Sequence, residues 1–213
     1  MRLKNLNFCQ FQRDAEDLLA RGTGVQAKPY PDSFLRAYPE FLRYFEVIKK
    51  QGDIQRHHLV IASHFVYGWM PTFVYLDLSR ETDLLQCLNK ALQGRRLRRE
   101  ELLLLKRSVS NSMSGVSKLL HFINPDEYAF WDRRIFRHLS GQRGQLGVDK
   151  PELYLEYLAG LKGIIAHAEY PSLHDGIEAY YNSTFYPMRA VEIVMYETAR
   201  QQAWAPQYQS SLM

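Results

Sequence analysis

Apolar residues recur at intervals of three and four through most of this chain, the spacing that gathers them on one face of an α-helix. The first such run predicts a helix near Phe11–Ala20, closed by Gly22-Thr23-Gly24. A proline-containing loop, Lys28-Pro29-Tyr30-Pro31-Asp32-Ser33, follows, with Ser33 placed to cap the next helix. That helix carries Phe34, Tyr38, Phe41, Leu42, Phe45 and Ile48, and Pro39 kinks or divides it. His57–Gly68 is a third helix. Glu81–Gln93 is another, with Leu84, Leu85, Leu88 and Leu92 on one side and Gly94 at its end. Between these two, Thr72–Leu78 is β-branched and aromatic, and its pattern fits either a buried helix or an isolated strand.

The most informative stretch is Ser108–Leu139, which reads as helix, tight connection, helix. Val109, Met113, Val116, Leu120 and Ile123 form a core-facing stripe, and the first helix ends at Asn124-Pro125-Asp126. Tyr128, Phe130 and Trp131 pack the connection, and Ile135, Phe136 and Leu139 are the apolar residues of the second helix. Whether the helix through Glu100–Met113 breaks before the next helix, at Ser112–Gly115, is open. Farther on, Asp149 with Pro151 and Glu152 has the form of a helix start. It opens a face of Tyr154, Tyr157, Leu158, Leu161, Ile164 and Ile165. The last helix spans about Pro187–Gln202, where Arg189 and Glu192 form an i,i+3 pair. Strand patterning is scarce and no repeat is evident. The expected fold is all-α, a helical protein with a cleft, built as a single compact domain over 1–213 or as two lobes of about 25–107 and 108–202.

Composition narrows this only a little. The 213 residues, 46% hydrophobic and 23% charged, suit an ordinary globular protein. No run reaches the 18 or so apolar residues of a membrane span, and the charged N-terminal stretch lacks a signal-type apolar core, so cytoplasmic residence is expected. Two distant cysteines, Cys9 and Cys87, argue against a disulfide scaffold or a structural zinc site. A net charge of +4 is compatible with a polyanionic partner. The 14 tyrosines, 11 phenylalanines and 3 tryptophans exceed what core packing alone calls for and supply stacking surfaces.

Candidate chemistry concentrates at Lys118 and Asp132, one on each side of the connection. Lys118 lies roughly 200° around the helix from Val116, off the core stripe; it is either a surface lysine or an amine nucleophile. Asp132, at a helix start, reads as an N-cap, a role compatible with facing a cleft. His121, one turn after Lys118, and Trp131 are candidate cleft residues, as are Tyr67 and Trp69, which with Tyr75 surround a helix break and read either as a stacking wall for a base or as core packing. Arg95, Arg96, Arg98 and Arg99 form a basic cluster, read either as a solvated loop or as a phosphate contact. His57, His58 and His64 lack an HExxH context, and no metal site is expected. Ser140–Gly147 is glycine-rich without GxGxxG spacing or a preceding strand, which argues against a dinucleotide site.

Met113-Ser114-Gly115-Val116-Ser117-Lys118 and Asp132-Arg133-Arg134-Ile135-Phe136-Arg137 together resemble the helix-hairpin-helix superfamily of DNA base-excision glycosylases. In that family a glycine-containing hairpin precedes a lysine, and an aspartate opens the following helix. The resemblance implies that Gly115 and Val116 touch the DNA backbone, with Arg137 in support. It implies that Lys118 attacks the anomeric carbon of an extruded nucleotide and that Asp132 is the essential carboxylate. A four-cysteine iron–sulfur motif is missing, so no cofactor is implied. The expected partner is DNA, and the expected activity is excision of a damaged or modified base, with Schiff-base lyase chemistry where the lysine acts. The alternative is a non-catalytic helical module that binds nucleic acid or protein.

Overall fold

The computed structural model describes residues 3–21, 32–69, 74–141 and 147–209, excluding the side chains of 32–35, 69 and 202–209. Ten helices and no sheet occur among the described residues, which establishes the all-α class. The helices are α1 (Phe8–Leu19), α2 (Asp32–Gln51), α3 (Arg56–Trp69), α4 (Glu81–Leu92) and α5 (Arg99–Ser108). They continue as α6 (Met113–Ile123), α7 (Arg133–Ser140), α8 (Pro151–Ile165), α9 (Tyr170–Tyr181) and α10 (Pro187–Gln209). No helix among the described residues is long and apolar enough to cross a membrane. The Gly22–Gly24 stop, most of the Lys28–Ser33 loop and the centre of the glycine-rich loop lie outside the described residues.

Short polar side chains set several helix starts. Asn7 Oδ1 accepts from Gln10 N at 2.9 Å, and Ser112 Oγ accepts from Gly115 N at 3.2 Å. Gly141, at φ 67°, closes α7 by donating its amide to Arg137 O at 2.9 Å. Two caps differ from expectation. Asp32 is already helical, so Ser33 lies inside the first turn of α2 instead of ahead of it. Lys150 O receives the first amides of α8, while Asp149 Oδ1 accepts from Met113 N at 3.0 Å. The carboxylate expected to cap its own helix therefore serves the first amide of α6.

The chain divides into two compact units, each discontinuous in sequence. The first comprises Tyr30–Trp131 with Asp149–Leu155. Here α6 is the central helix, packed by α2, α3, α4 and α5. Its expected stripe of Val109, Met113, Val116, Leu120 and Ile123 is buried throughout. The Thr72–Leu78 run forms neither a helix nor a strand over its described part; Leu76 makes one antiparallel bridge to Val109. α5 and α6 are separate helices, joined by Val109–Ser112, with Ser110 and Asn111 both left-handed at φ 53° and 49°.

The second unit comprises Met1–Pro29, Asp132–Val148 and Glu156–Met213. In it α10 packs against α1, α7 and α9. Ile135, Phe136 and Leu139 of α7 are wholly buried, as their spacing predicted. α9 was not anticipated, and only Tyr170 and Ile177 are buried along it. α10 also holds a surprise. Arg189 and Glu192 pair as expected, but their side chains are only 4% and 2% exposed. The pair is a core feature, not a surface one. Glu197, one turn on, is equally buried, and burial pushes its carboxyl up despite the bond from Arg200 Nη2 at 2.8 Å.

Candidate functional site

Asp132 is the N-cap of α7. Its Oδ1 accepts from Arg134 N at 2.8 Å and Ile135 N at 3.0 Å. Both bonds fall on one oxygen, and the residue is only half-buried. Oδ2 thus has no hydrogen-bond partner among the described residues. A carboxylate oriented this way is held by charge-assisted bonds on one side and presented on the other. Arg134 extends the arrangement: its guanidinium lies 5.0 Å from the centre of the Tyr196 ring and donates to the phenol oxygen. Burial raises Tyr196, against the pull of Arg134 and with the push of Asp132. The phenol therefore stays protonated. This constellation, Asp132–Arg134–Tyr196, belongs to the second unit, and Tyr196 was missed because nothing in its helix pattern marks it.

Lys118 belongs to the first unit. α6 is the most apolar of the short helices, and from Met113 to Ile123 only Ser114 and Lys118 are not fully buried. Lys118 is half-buried, as its position off the core stripe implied, so its stem runs against protein while part of the side chain meets solvent.

The residues around Lys118 are held by a dense polar network. His121 is wholly buried, with Nδ1 2.7 Å from Tyr128 O and Nε2 2.8 Å from the Tyr38 hydroxyl. A carbonyl only accepts, so Nδ1 carries the proton and Nε2 accepts from Tyr38. Ser117 Oγ accepts from Trp131 N at 3.0 Å and lies 3.2 Å from Trp131 O. Tyr154 donates to Ala129 O at 3.0 Å, and Asn124 Nδ2 donates to Ala91 O at 2.9 Å. Tyr128 donates to Arg95 O at 3.1 Å and receives Leu97 N at 2.9 Å. Burial raises the Tyr128 and Tyr154 phenols, which keeps both as donors. The connection from Asn124 to Trp131 is thereby fixed almost residue by residue. Ser117 is the member that the sequence motif treats as filler.

His121, Tyr67 and Trp131, expected to line a cleft, are at most 3% exposed. The Trp69 side chain lies outside the described residues. Gly115 and Val116 are also buried, and Met113–Lys118, matched to the hairpin and lysine, is helical throughout. The turn itself is Val109–Ser112, just ahead of that match. Gly115 has a packing reason: a Cβ there would lie 2.4 Å from the Tyr67 hydroxyl and 2.9 Å from its Cζ. Tyr67 is itself buried beneath the turn, 3.4 Å from Val109 O. Gly115→Ala should therefore destabilise the fold by about 1–3 kcal/mol in urea unfolding. Adding Tyr67→Leu should return part of the loss. A single variant as stable as the parent would show that Tyr67 yields freely.

The arginine cluster forms the loop after α4 and the first residue of α5. Arg96 lies 3.8 Å from Glu127, and Arg99 pairs with Glu152 and, at 3.6 Å, with Glu100. Arg95 is exposed and forms no ion pair among the described residues; Arg98 is also exposed, and its backbone amide donates to Glu101 Oε2 at 2.7 Å. Arg137 is exposed on α7, in the other unit. His174, Asp175 and Glu178 are the one group among the described residues whose ligand-type atoms lie within 4.8 Å of one another. Their hydrogen bonds explain two of them: Glu178 Oε1 accepts from Phe185 N at 2.7 Å, and His174 Nε2 bonds Phe185 O at 3.1 Å. Burial pushes the Cys87 thiol up to about 11, away from nucleophilic use.

No protein-family model matches the chain, and neither a curated protein nor a solved structure matches it.

Proposed function

We propose that the protein is a divergent DNA glycosylase of helix-hairpin-helix type that excises a damaged or modified base. The observation that carries this reading is the Asp132 carboxylate, fixed through one oxygen at the head of α7 with the other oxygen uncommitted among the described residues. When the bond between base and sugar breaks, positive charge builds on the sugar ring, and a pre-oriented carboxylate stabilises it. The base must first leave the stack, at a cost of a few kcal/mol that damage reduces. The helical class and the basic loop support the same reading.

Lys118 supplies the second chemistry. Its amine, as the free base, attacks the anomeric carbon; the bond to the base breaks and the base takes the electron pair and a proton. The bond from that carbon to the ring oxygen then breaks, the oxygen taking the electron pair and the amine's remaining proton to become a hydroxyl, which leaves an imine between the lysine and the opened sugar. Borohydride reduces the imine to a stable amine, so the protein becomes covalently attached to DNA. On duplexes carrying damaged, modified or abasic nucleotides, the wild-type chain should give this adduct and Lys118→Ala should not. Equal adduct from the variant would remove Lys118 from the chemistry.

A second reading is a helical module that binds nucleic acid or protein without catalysis. It is favoured by the burial of His121, Tyr67 and Trp131 and by the packing explanation for Gly115, which together account for the segment as core. Absence of both adduct and base release would select it.

A further inference from the structure

We infer that Tyr75 is a stacking platform for an unpaired nucleobase, displayed beside the turn between α5 and α6. The inference rests on the nucleic-acid reading above and assigns it a contact residue. Tyr75 is 69% exposed, far more than any other exposed large apolar or aromatic side chain among the described residues. Single exposed aromatics are ordinary on mobile surfaces, but the backbone beneath this one is tied down. Ser110 N donates to Tyr75 O at 2.8 Å, and Tyr75 N donates to Ser110 Oγ at 2.8 Å. Asp77 N donates to Ser108 O at 2.8 Å, and Leu76 bridges Val109 between them. Ser108 and Val109 are buried, so this short ladder is attached to the core while the phenol ring stands outside it.

The opposite strand of the ladder runs into two left-handed residues, Ser110 and Asn111, each a conformation that costs an L-residue energy unless neighbours impose it. Beneath the turn the Tyr67 hydroxyl donates to Val109 O at 3.4 Å, and Ser110 itself is held by its bonds to the Tyr75 backbone. The backbone that carries the ring is therefore held in place by contacts that leave the ring uncovered.

The surrounding charge favours a nucleotide over an apolar protein surface. Lys106 and Arg107 occupy the last turn of α5, directly before Ser108, and Arg107 is exposed. The nearby acids are engaged with amides: Asp77 with Ser79 N at 2.8 Å and Asp149 with Met113 N at 3.0 Å. An aromatic face with adjacent cations is the combination that binds a base by stacking and its phosphate by charge, without regard to sequence.

The test uses the full chain and measures anisotropy with a fluorescent single-stranded oligonucleotide and with a duplex bearing one unpaired base, across a salt series. Tyr75→Ala should weaken binding to both about tenfold or more while leaving the salt slope unchanged. Tyr75→Phe should bind within about twofold of the parent, since the ring stacks and the hydroxyl does not. Arg107→Ala should reduce the salt slope by about one phosphate contact. Thermal unfolding of each variant should match the parent, because the side chains are exposed. If the parent binds and Tyr75→Ala binds equally well, the platform is overturned and the function stands. Loss in Tyr75→Phe equal to that in Tyr75→Ala also overturns it, by assigning the contact to the hydroxyl. If the parent binds neither DNA, the platform and the nucleic-acid reading fall together.

Discussion

Asp132→Asn is expected to lower base release by about two to four orders of magnitude with little change in unfolding midpoint. Asparagine keeps an oxygen where Oδ1 accepts from Arg134 N and Ile135 N, and it is as good an N-cap as aspartate. What it removes is the negative charge. Asp132→Ala removes charge and cap together, so it should lose the same activity and, in addition, about 1 kcal/mol of stability. The pair of variants separates the structural duty from the chemical one. Base release by Asp132→Asn at the parental rate would reduce Asp132 to a helix cap.

The largest loss of stability is expected from Glu192→Leu. Arg189 and Glu192 face each other inside the second unit at 4% and 2% exposure, where solvent cannot take over from a lost partner. Removing one member of such a pair costs about 3–5 kcal/mol, because a buried charge loses its counter-charge. Replacing both, as Arg189→Met with Glu192→Leu, should recover most of that loss, since an apolar pair of similar volume needs no compensation. Urea unfolding of the two single variants and the double variant gives the cycle directly. A Glu192→Leu protein within about 1 kcal/mol of the parent would mean that other groups around Arg189 hold its charge.

The contrast between these two sites shows what one-dimensional pattern carries. Helix starts and apolar stripes are local properties, so the stripe of α6, the buried triplet of α7 and the capping position of Asp132 were legible from spacing alone. Burial of polar groups is not local. Arg189 and Glu192 sit at the same i,i+3 interval as countless surface pairs, and nothing in that interval says that α1, α7 and α9 close around α10. The same holds for Asp149, whose sequence context suits a helix cap but whose carboxylate is drawn to the α6 amide 36 positions earlier. α9 was illegible for the opposite reason: with two buried residues along its length, it has almost no stripe to read. Among the candidate functional residues, the sequence singled out Lys118 and Asp132, one in each unit, by residue type. Ser117 and Tyr196, which hold their surroundings, are ordinary residues whose importance arises only from distant partners.

The split of the chain into interleaved units has a bearing on how the molecule comes into being. During synthesis at about 5–20 residues per second, the helices that enclose α6 emerge in one continuous block. α1 emerges before all of them, yet Phe11, Ala15 and Leu18 must wait for α9 and α10, near the far end of the described chain. For several seconds at least, an amphipathic helix is left with its apolar side uncovered. A nascent chain halted before α10 should therefore be a ready substrate for holding chaperones through α1, while its middle portion is already protected from proteases.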